Sequence, residues 1–536
     1  MNIKYPLLKA IDVSGLTFLS PVVRLISGEE PAKQLRDIGR FIVVPIIAFL
    51  VFLWLWAVIA PKHRTKAGEV PTPSVVWDAS GGVWQFHKRE TLKESGYQLT
   101  GEARVAALEE AKTRLGELDA LEVKAKAQLE TAEAASKETF ERAVGPAKSA
   151  YETANNAARD SRRARIESLK TMAAAVNPQD EQARADYLTA VKQADQETAA
   201  DKLKVDALKV AYTEAQNIAL PKVKNARSAL TKLAEERQFL TKYIDMLSDN
   251  SREKKVSDSK EKLAEASAAY AAAKPGGDLY KLAGNVLKRQ ELLTTIENSQ
   301  YAKPWTLPKQ IVRSLLCVFT GFMLASLIAI PLGILCGLSP TFMAAVTPFI
   351  ALFKPVSPLV WLPIIMIIVG GFMPDPENHW LLNAFEKIPL IKNFKIDPMF
   401  LSSAITVALC SLWATLVNTA LGVGSIDKDH MNVARVLRLN FGARLFKIII
   451  PTALPLIFAG LRISLGVGWM VLVAAEILST SEGIGKFVND MYTNGSSQSF
   501  AQMFVVVFIV GIIGMLLDRI MVLFQRLVSF DTAPAL

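Results

Sequence analysis

"IVRSLLCVFTGFMLASLIAIPLGILCGL" occupies residues 311–338 of a 536-residue chain, and after Arg313 it contains no charge. Crossing the hydrocarbon of a bilayer takes about 20 predominantly apolar residues. Inside that hydrocarbon a backbone must satisfy its own N–H and C=O groups, which a helix does. This stretch therefore predicts a spanning helix, and the chain is read as an all-α membrane protein.

Five more runs behave in the same way. They are "FIVVPIIAFLVFLWLWAVIA" (41–60), 341–372, 399–423, 451–478 and 500–524, which makes six spans with 311–338. The run 341–372 is interrupted by Lys354-Pro355-Val356-Ser357-Pro358. The first run is followed by Pro-Lys-His-Arg rather than small residues, so it is expected to stay as an anchor. Basic residues cluster beside the spans: Lys4, Lys9, Arg24, Lys33, Arg36 and Arg40 before the first, and five against two acids within 424–450. By the positive-inside rule both termini and 424–450 face the cytoplasm, while residues 61–310 face the periplasm.

Between the first and second spans the composition changes. Residues 97–300 are rich in Ala, Lys and Glu, and Val105, Leu108, Leu115, Leu118 and Leu121 recur at helical steps. The pattern predicts a long antiparallel helical hairpin, coiled-coil-like, with its tip near Asn177-Pro178. Breaks are expected at Gly145-Pro146, Pro221, Ser248-Asp249-Asn250 and Pro275-Gly276-Gly277. The resulting division is a tail (1–40), a first span (41–60), a linker (61–96), the insert (97–300), a core with five spans (301–527) and a short tail (528–536).

The net charge of +10 belongs mostly to span flanks and lacks the interleaved aromatics of a single-strand binder, which argues against nucleic acid. Cys317, Cys336 and Cys410 all lie in apolar runs, and the four histidines have no metal-ligand spacing. No metal site is expected. "TSEGIGKF" (480–487) glances toward a phosphate loop but lacks its first glycine and the Ser/Thr after Lys486. No enzyme motif exists, and the chain is not expected to bind a cofactor.

The run "NVARVLRLNFGARLFKIIIPTALP" (432–455) places Arg435, Arg438, Arg444 and Lys447 directly against a span. Ala434, Leu437, Phe441 and Leu445 are expected on one side of a helix lying on a partner's surface. The string resembles the coupling loop of ABC importer permeases. Asn432 stands where that family carries Glu, and Arg438 where its loop Gly sits, with Gly442 four residues on. "VPTPSVVWDA" (70–79), "FKPVSPLVWLPI" (353–364), "SLWATLVNTALGVGSIDKDHMNVARVLRL" (411–439) and "GLRISLGVGWMVLVAAEIL" (460–478) resemble the nitrate/sulfonate/bicarbonate (taurine-type) group, closest to nitrate permeases. The resemblance covers about half the chain and does not extend to 97–300.

The resemblance implies a bacterial inner-membrane permease with the type I importer fold, working as a pair. Asn432, Ala434, Arg435, Leu437, Arg438, Phe441 and Gly442 would dock an ATPase subunit that binds ATP and Mg. A periplasmic binding protein would deliver a small anion: nitrate first, with bicarbonate, cyanate or a sulfonate open. Lys354, an intramembrane cation, and the helix break at Pro355, Ser357 and Pro358 are pathway candidates. Arg462 and Asn418 are further candidates, and each has a structural alternative: ion pairing or snorkelling for a cation, interhelical bonding for Asn418. Glu476 is read either as touching a docking protein or as capping a helix. A rival reading makes the chain a scaffold that couples ATP hydrolysis to movement of the helical arm without transport. In a further reading the basic loop binds anionic lipid. The insert can tether the binding protein, bridge toward the cell wall or brace a dimer.

Overall fold

The computed structural model describes residues 7–8, 11, 17–65, 68–177, 179–216, 221–274, 278–376, 379–386 and 396–528. It is all-α apart from a two-rung antiparallel ladder pairing Arg64 with Glu69 and Thr65 with Gly68. Two compact units result: residues 1–91 with 303–536, and residues 92–302.

In the first unit, α1 (Ser20–Ile26) and α2 (Pro31–Ile38) lead through one π-turn into α3 (Val44–Ile59). α4 (Pro73–Tyr97) follows. After residue 303 come α10 (Leu307–Leu338), α11 (Pro340–Phe353), α12 (Pro358–Phe372), α13 (Trp380–Glu386) and α14 (Pro398–Gly424). α15 (Lys428–Val436) and α16 (Phe441–Arg444) form the loop before α17 (Ile450–Ser479); α18 (Ile484–Asn494) and α19 (Ser497–Val528) complete the order. Among the described residues, five helices are long and apolar enough to cross a membrane.

The sixth expected span is bent. α11 and α12 meet at 100° across Lys354–Ser357. Pro355 and Pro358 remove two backbone donors, and Ser357, extended before Pro358 (φ −65°, ψ 142°), ends the helical path, so the corner falls where the prolines do.

Small residues decide how these helices pack. Gly321, Ala325, Ala329, Gly333 and Gly337 recur every fourth residue, forming one stripe of α10. A Cβ on Gly321 would lie 2.8 Å from that of Val407, one on Gly333 2.6 Å from that of Thr419, and one on Gly337 2.5 Å from that of Val423. These contacts ascend together, so α10 and α14 run parallel with their backbones nearly touching. α17 runs antiparallel to both: Gly460 faces Asn418, Ser464 bonds Thr415, and Ser314 bonds Glu476. Since α10 and α14 are parallel, the chain between them must return to its starting side. The bent pair therefore acts as one net crossing.

In the second unit, α5 (Gly101–Ala175) pairs with α6 (Glu181–Gln216) and then α7 (Pro221–Leu247). Arg165–Asp201, Glu133–Arg227 and Arg114–Glu236 fix this pairing as antiparallel. Ala111, Phe239, Leu240, Tyr243 and Leu247 form the one sizeable core among its described residues. At the root, Arg104 donates to Glu253 (2.7 Å), as does the Gly101 amide, and together they hold the Glu253 carboxyl below its ordinary range.

Two expectations for this unit are corrected. α5 runs straight through Gly145-Pro146, because both residues are exposed and the carbonyl freed by proline can be hydrated. The returning arm ends at Leu247 rather than near 300. Residues 252–297 instead form a second, shorter hairpin, α8 (Arg252–Ala271) with α9 (Leu279–Glu297), because Ser251 caps a new helix after the Ser248–Asn250 turn. Pro178 and Pro275-Gly276-Gly277 lie outside the described residues.

The α10–α14 contact yields a test. Gly333→Val is expected to push the two helices apart and to cost roughly 1–3 kcal/mol or more. The detergent-solubilised variant should lose its monodisperse state at a markedly lower temperature than a Gly466→Val control, whose Cβ meets nothing within 4 Å.

Candidate functional site

Three places in the first unit carry polar chemistry: the loop 425–449, the corner between α11 and α12, and a buried cluster at the far end of the α10–α14–α17 bundle.

The loop begins with Asp427, whose carboxylate accepts from the Asp429 amide and starts α15. α15 ends in a Schellman turn: the Leu439 N–H reaches back to the Ala434 carbonyl at 3.0 Å. Arg438 occupies the left-handed position of this turn with φ +47°, the position where glycine is unstrained. Asn440 then caps α16 by accepting from the Ala443 amide at 2.8 Å.

The single helical face expected for Ala434, Leu437, Phe441 and Leu445 is therefore corrected. The turn at 437–440 splits the stretch into two helices, so the four residues do not share one helical face. Ala434 is buried, while Leu437 (63% exposed) and Phe441 (56% exposed) are open, with Val436 and Phe446 beside them in sequence. Met431, Leu445 and Ile449 pack onto Ile334, Val423 and Ala453 at the ends of α10, α14 and α17. Asn432, Arg438 and Gly442 are exposed, and the Arg435 side chain lies outside the described ones.

At the corner, Lys354 ends α11 and is exposed, as are Pro355 and Ser357; Pro358 is half-buried. Ser357 caps α12, accepting from the Leu359 amide at 3.3 Å. Among the described residues Lys354 has no ion-pair partner. The other two pathway candidates sit elsewhere. Arg462 of α17 is held in a two-point ion pair by Asp518 of α19, at 2.5 and 3.0 Å. Such a fork-to-fork pair neutralises the guanidinium and takes up two of its five N–H donors. Asn418 donates to the Ala414 carbonyl of its own helix at 2.8 Å, where α17 closes in at Gly460. Neither is brought to the corner by the observed bonds.

The third place went largely unread in the sequence. Arg313, 2% exposed, pairs with Asp397 at 2.9 Å and lies between the Trp305 and Phe400 rings. Asp397 also caps α14 through the Phe400 amide. Beside it in sequence, Ser314 accepts from the Ile484 amide and donates to Glu476, itself 1% exposed. The other Glu476 oxygen accepts from the Gly485 amide at 2.9 Å. Glu476 thus caps α18 rather than its own helix, and it is too deeply enclosed to meet a docking protein.

This bonding also explains the glycines of 480–487. A Cβ on Gly483 would lie 2.3 Å from the Glu476 carboxyl, and one on Gly485 2.6 Å from the Glu476 Cβ. The glycines let a helix N-terminus close on an anion, as in a phosphate loop, but the anion is the chain's own carboxylate. Arg313 on the polar side of an apolar run and Asp397 before Pro398 were the available signals; their pairing across 84 residues was not legible.

Glu476→Ala strips the Gly485 amide and the Ser314 hydroxyl of their acceptor in a buried setting. The expected loss is about 3 kcal/mol. Faster amide exchange at residues 484–487, with exchange at 437–440 unchanged, is the measurement that checks it.

Residues 329–530 match the family described as "Binding-protein-dependent transport system inner membrane component". A nitrate import permease protein of Synechococcus elongatus is 33% identical over 220 residues, covering 41% of this chain and 69% of that protein. A bicarbonate transport system permease protein of Synechocystis is 34% identical over 221 residues, 41% of this chain and 68% of its own length. A taurine transport system permease protein of Escherichia coli is 34% identical over 198 residues, 37% and 62% respectively.

Proposed function

Because this chain belongs to the binding-protein-dependent inner-membrane components, in the nitrate, bicarbonate and taurine permease group of ABC importers, we propose that it is the membrane-spanning subunit that moves a small anion into the cytoplasm. Nitrate is the first assignment and bicarbonate the second, since the relatives named above as nitrate and bicarbonate permeases match at 33–34% identity. Cyanate and sulfonates are further down the same series. The chain works with a second copy of itself, with ATPase subunits that bind ATP and Mg, and with a soluble binding protein outside.

The observation that carries the reading is the loop 428–449. Its underside is packed on three helix ends, while Val436, Leu437, Phe441 and Phe446 stay open. Large apolar side chains on a braced, basic loop fit a protein partner better than water. α19 ends beside the start of α17, where Gln525 donates to the Pro455 carbonyl, and Trp56 near the end of α3 stacks on Phe504 and Phe508 near the start of α19, so a cytoplasmic loop puts both termini inside. Residues 61–310 then face the periplasm.

Lys354 is assigned to the anion route. An unpaired ammonium between two apolar helices is costly unless it meets a cavity or an anion. Arg462 is assigned to structure, as the counterion of Asp518. Residues 92–302 lie outside the stretch that matches the family, and their assigned role is to guide the binding protein.

Two experiments test these assignments. Labelled-nitrate uptake in cells lacking the chain should return with the wild type, and with Lys354→Ala it should fall about tenfold or more at equal expression. Absence of uptake with the wild type, alongside retained ATPase coupling, would instead favour a scaffold that moves the helical arm. Leu437→Asp and Phe441→Asp, both at exposed positions, should abolish co-purification of the ATPase without loss of membrane expression. Retained co-purification with weaker binding to anionic vesicles would mean that the loop binds lipid. Ala434→Asp is unsuitable for this purpose because Ala434 is buried.

A further inference from the structure

The corner between α11 and α12 carries donors that the assignment of Lys354 leaves unused. Phe353, the last residue of α11, stacks on Trp413 of α14, with ring centroids 6.3 Å apart and planes 11° apart. It also tilts onto Trp361 of α12 at 5.7 Å. Both indole Nε1 atoms are enclosed, and neither has a hydrogen-bond partner among the described residues. An indole nitrogen can only donate, and enclosing a donor without an acceptor is costly. Two such donors around one ring, in the part of the chain most interrupted by proline, call for an acceptor.

The charge around them specifies what kind. Lys354 follows Phe353 directly and is unpaired among the described residues. The N-terminus of α12, capped by Ser357, brings the positive end of a 15-residue helix to the same corner. α11, α12 and α14 contain no Asp or Glu between them. The acids nearest to the two tryptophans in sequence, Asp375 after α12 and Asp397 and Asp427 on either side of α14, lie 14 to 16 residues from them, and Asp397 is occupied by Arg313. Ammonium, helix N-terminus and indole N–H groups all favour a negative ligand, and nothing on these three helices repels one.

We propose that Trp361 and Trp413 donate their indole N–H groups, together with the Lys354 ammonium, to a monovalent planar oxyanion passing this corner. Phe353 is the side chain that withdraws to uncover them. An oxyanion of this class spreads one charge over oxygens set at wide angles, so it can accept from two indoles and an ammonium at once. Its monovalency limits the cost of leaving water, which rises steeply with charge. Nitrate and bicarbonate both belong to the class, whereas a sulfonate adds an apolar or amino tail that the Phe353 stack would have to admit. This inference rests on the permease reading and adds to it the two residues that select the ligand class.

The test uses the full chain with its partners in cells. Trp→Phe keeps a ring for Phe353 to stack on and removes only the N–H. Labelled-nitrate and labelled-bicarbonate uptake are measured separately for wild type, Trp361→Phe, Trp413→Phe and the double variant, at matched expression. Uptake of the transported anion should fall several-fold in each single variant and more than tenfold in the double, with ATPase co-purification retained. Uptake within twofold of wild type in the double variant overturns the inference and leaves the permease reading standing. So does loss of assembly between two copies, which would mean that the indoles serve the partner's backbone. A wild type that restores neither anion overturns the permease reading and this inference with it.

Discussion

The close approach of α10, α14 and α17 is the contact on which the remaining structure depends. Within a bilayer there is no hydrophobic drive between helices, because lipid tails are as apolar as leucine. Association must come from dispersion and hydrogen bonding at short range, and short range requires small side chains. The stripe Gly321–Ala325–Ala329–Gly333–Gly337 supplies them on α10, and Gly422, Gly460 and Gly468 supply them between α14 and α17. Once the backbones are that near, hydroxyls such as Thr415 and Ser464 can bond across the interface at 2.7 Å.

That packing positions both ends of the bundle. At one end, the helix termini form a seat for Met431, Leu445 and Ile449, and the loop above it is held rigid enough to present Leu437 and Phe441. At the other, Ser314 and Glu476 come within 2.6 Å and together close on the start of α18. The chain thus has a buried polar latch at one end and an open apolar loop at the other, joined by three helices that cannot slide independently without breaking glycine contacts.

The helical unit 92–302 is built on different physics. Its long pair of helices buries little area, since Ala dominates the seam and large apolar side chains such as Leu188 and Leu203 are exposed. Ion pairs such as Glu133–Arg227 fix the register of its arms, but pairs this exposed contribute little stability each. Its one sizeable described core lies near the root, around Phe239 and Tyr243, where the Arg104–Glu253 bond also sits.

The sequence by itself determined the all-α class, the apolar runs, the family and the place of the helix break, because each depends on local composition or on a short motif. Length and hydropathy are enough to mark a spanning helix, and Pro355 and Pro358 are enough to bend one. It also held the period-four glycine stripe, which is visible once packing is the question. Only the tertiary structure decided which charges are spent and which are free. Arg462 and Lys354 read alike in sequence, yet Asp518, 56 residues away, occupies one of them and no described residue occupies the other. The same holds for Ala434 and Leu437, three residues apart: one is buried beneath the loop and the other is open. Pairing across long separations and the direction of a turn are set by how helices meet, and no local pattern encodes that.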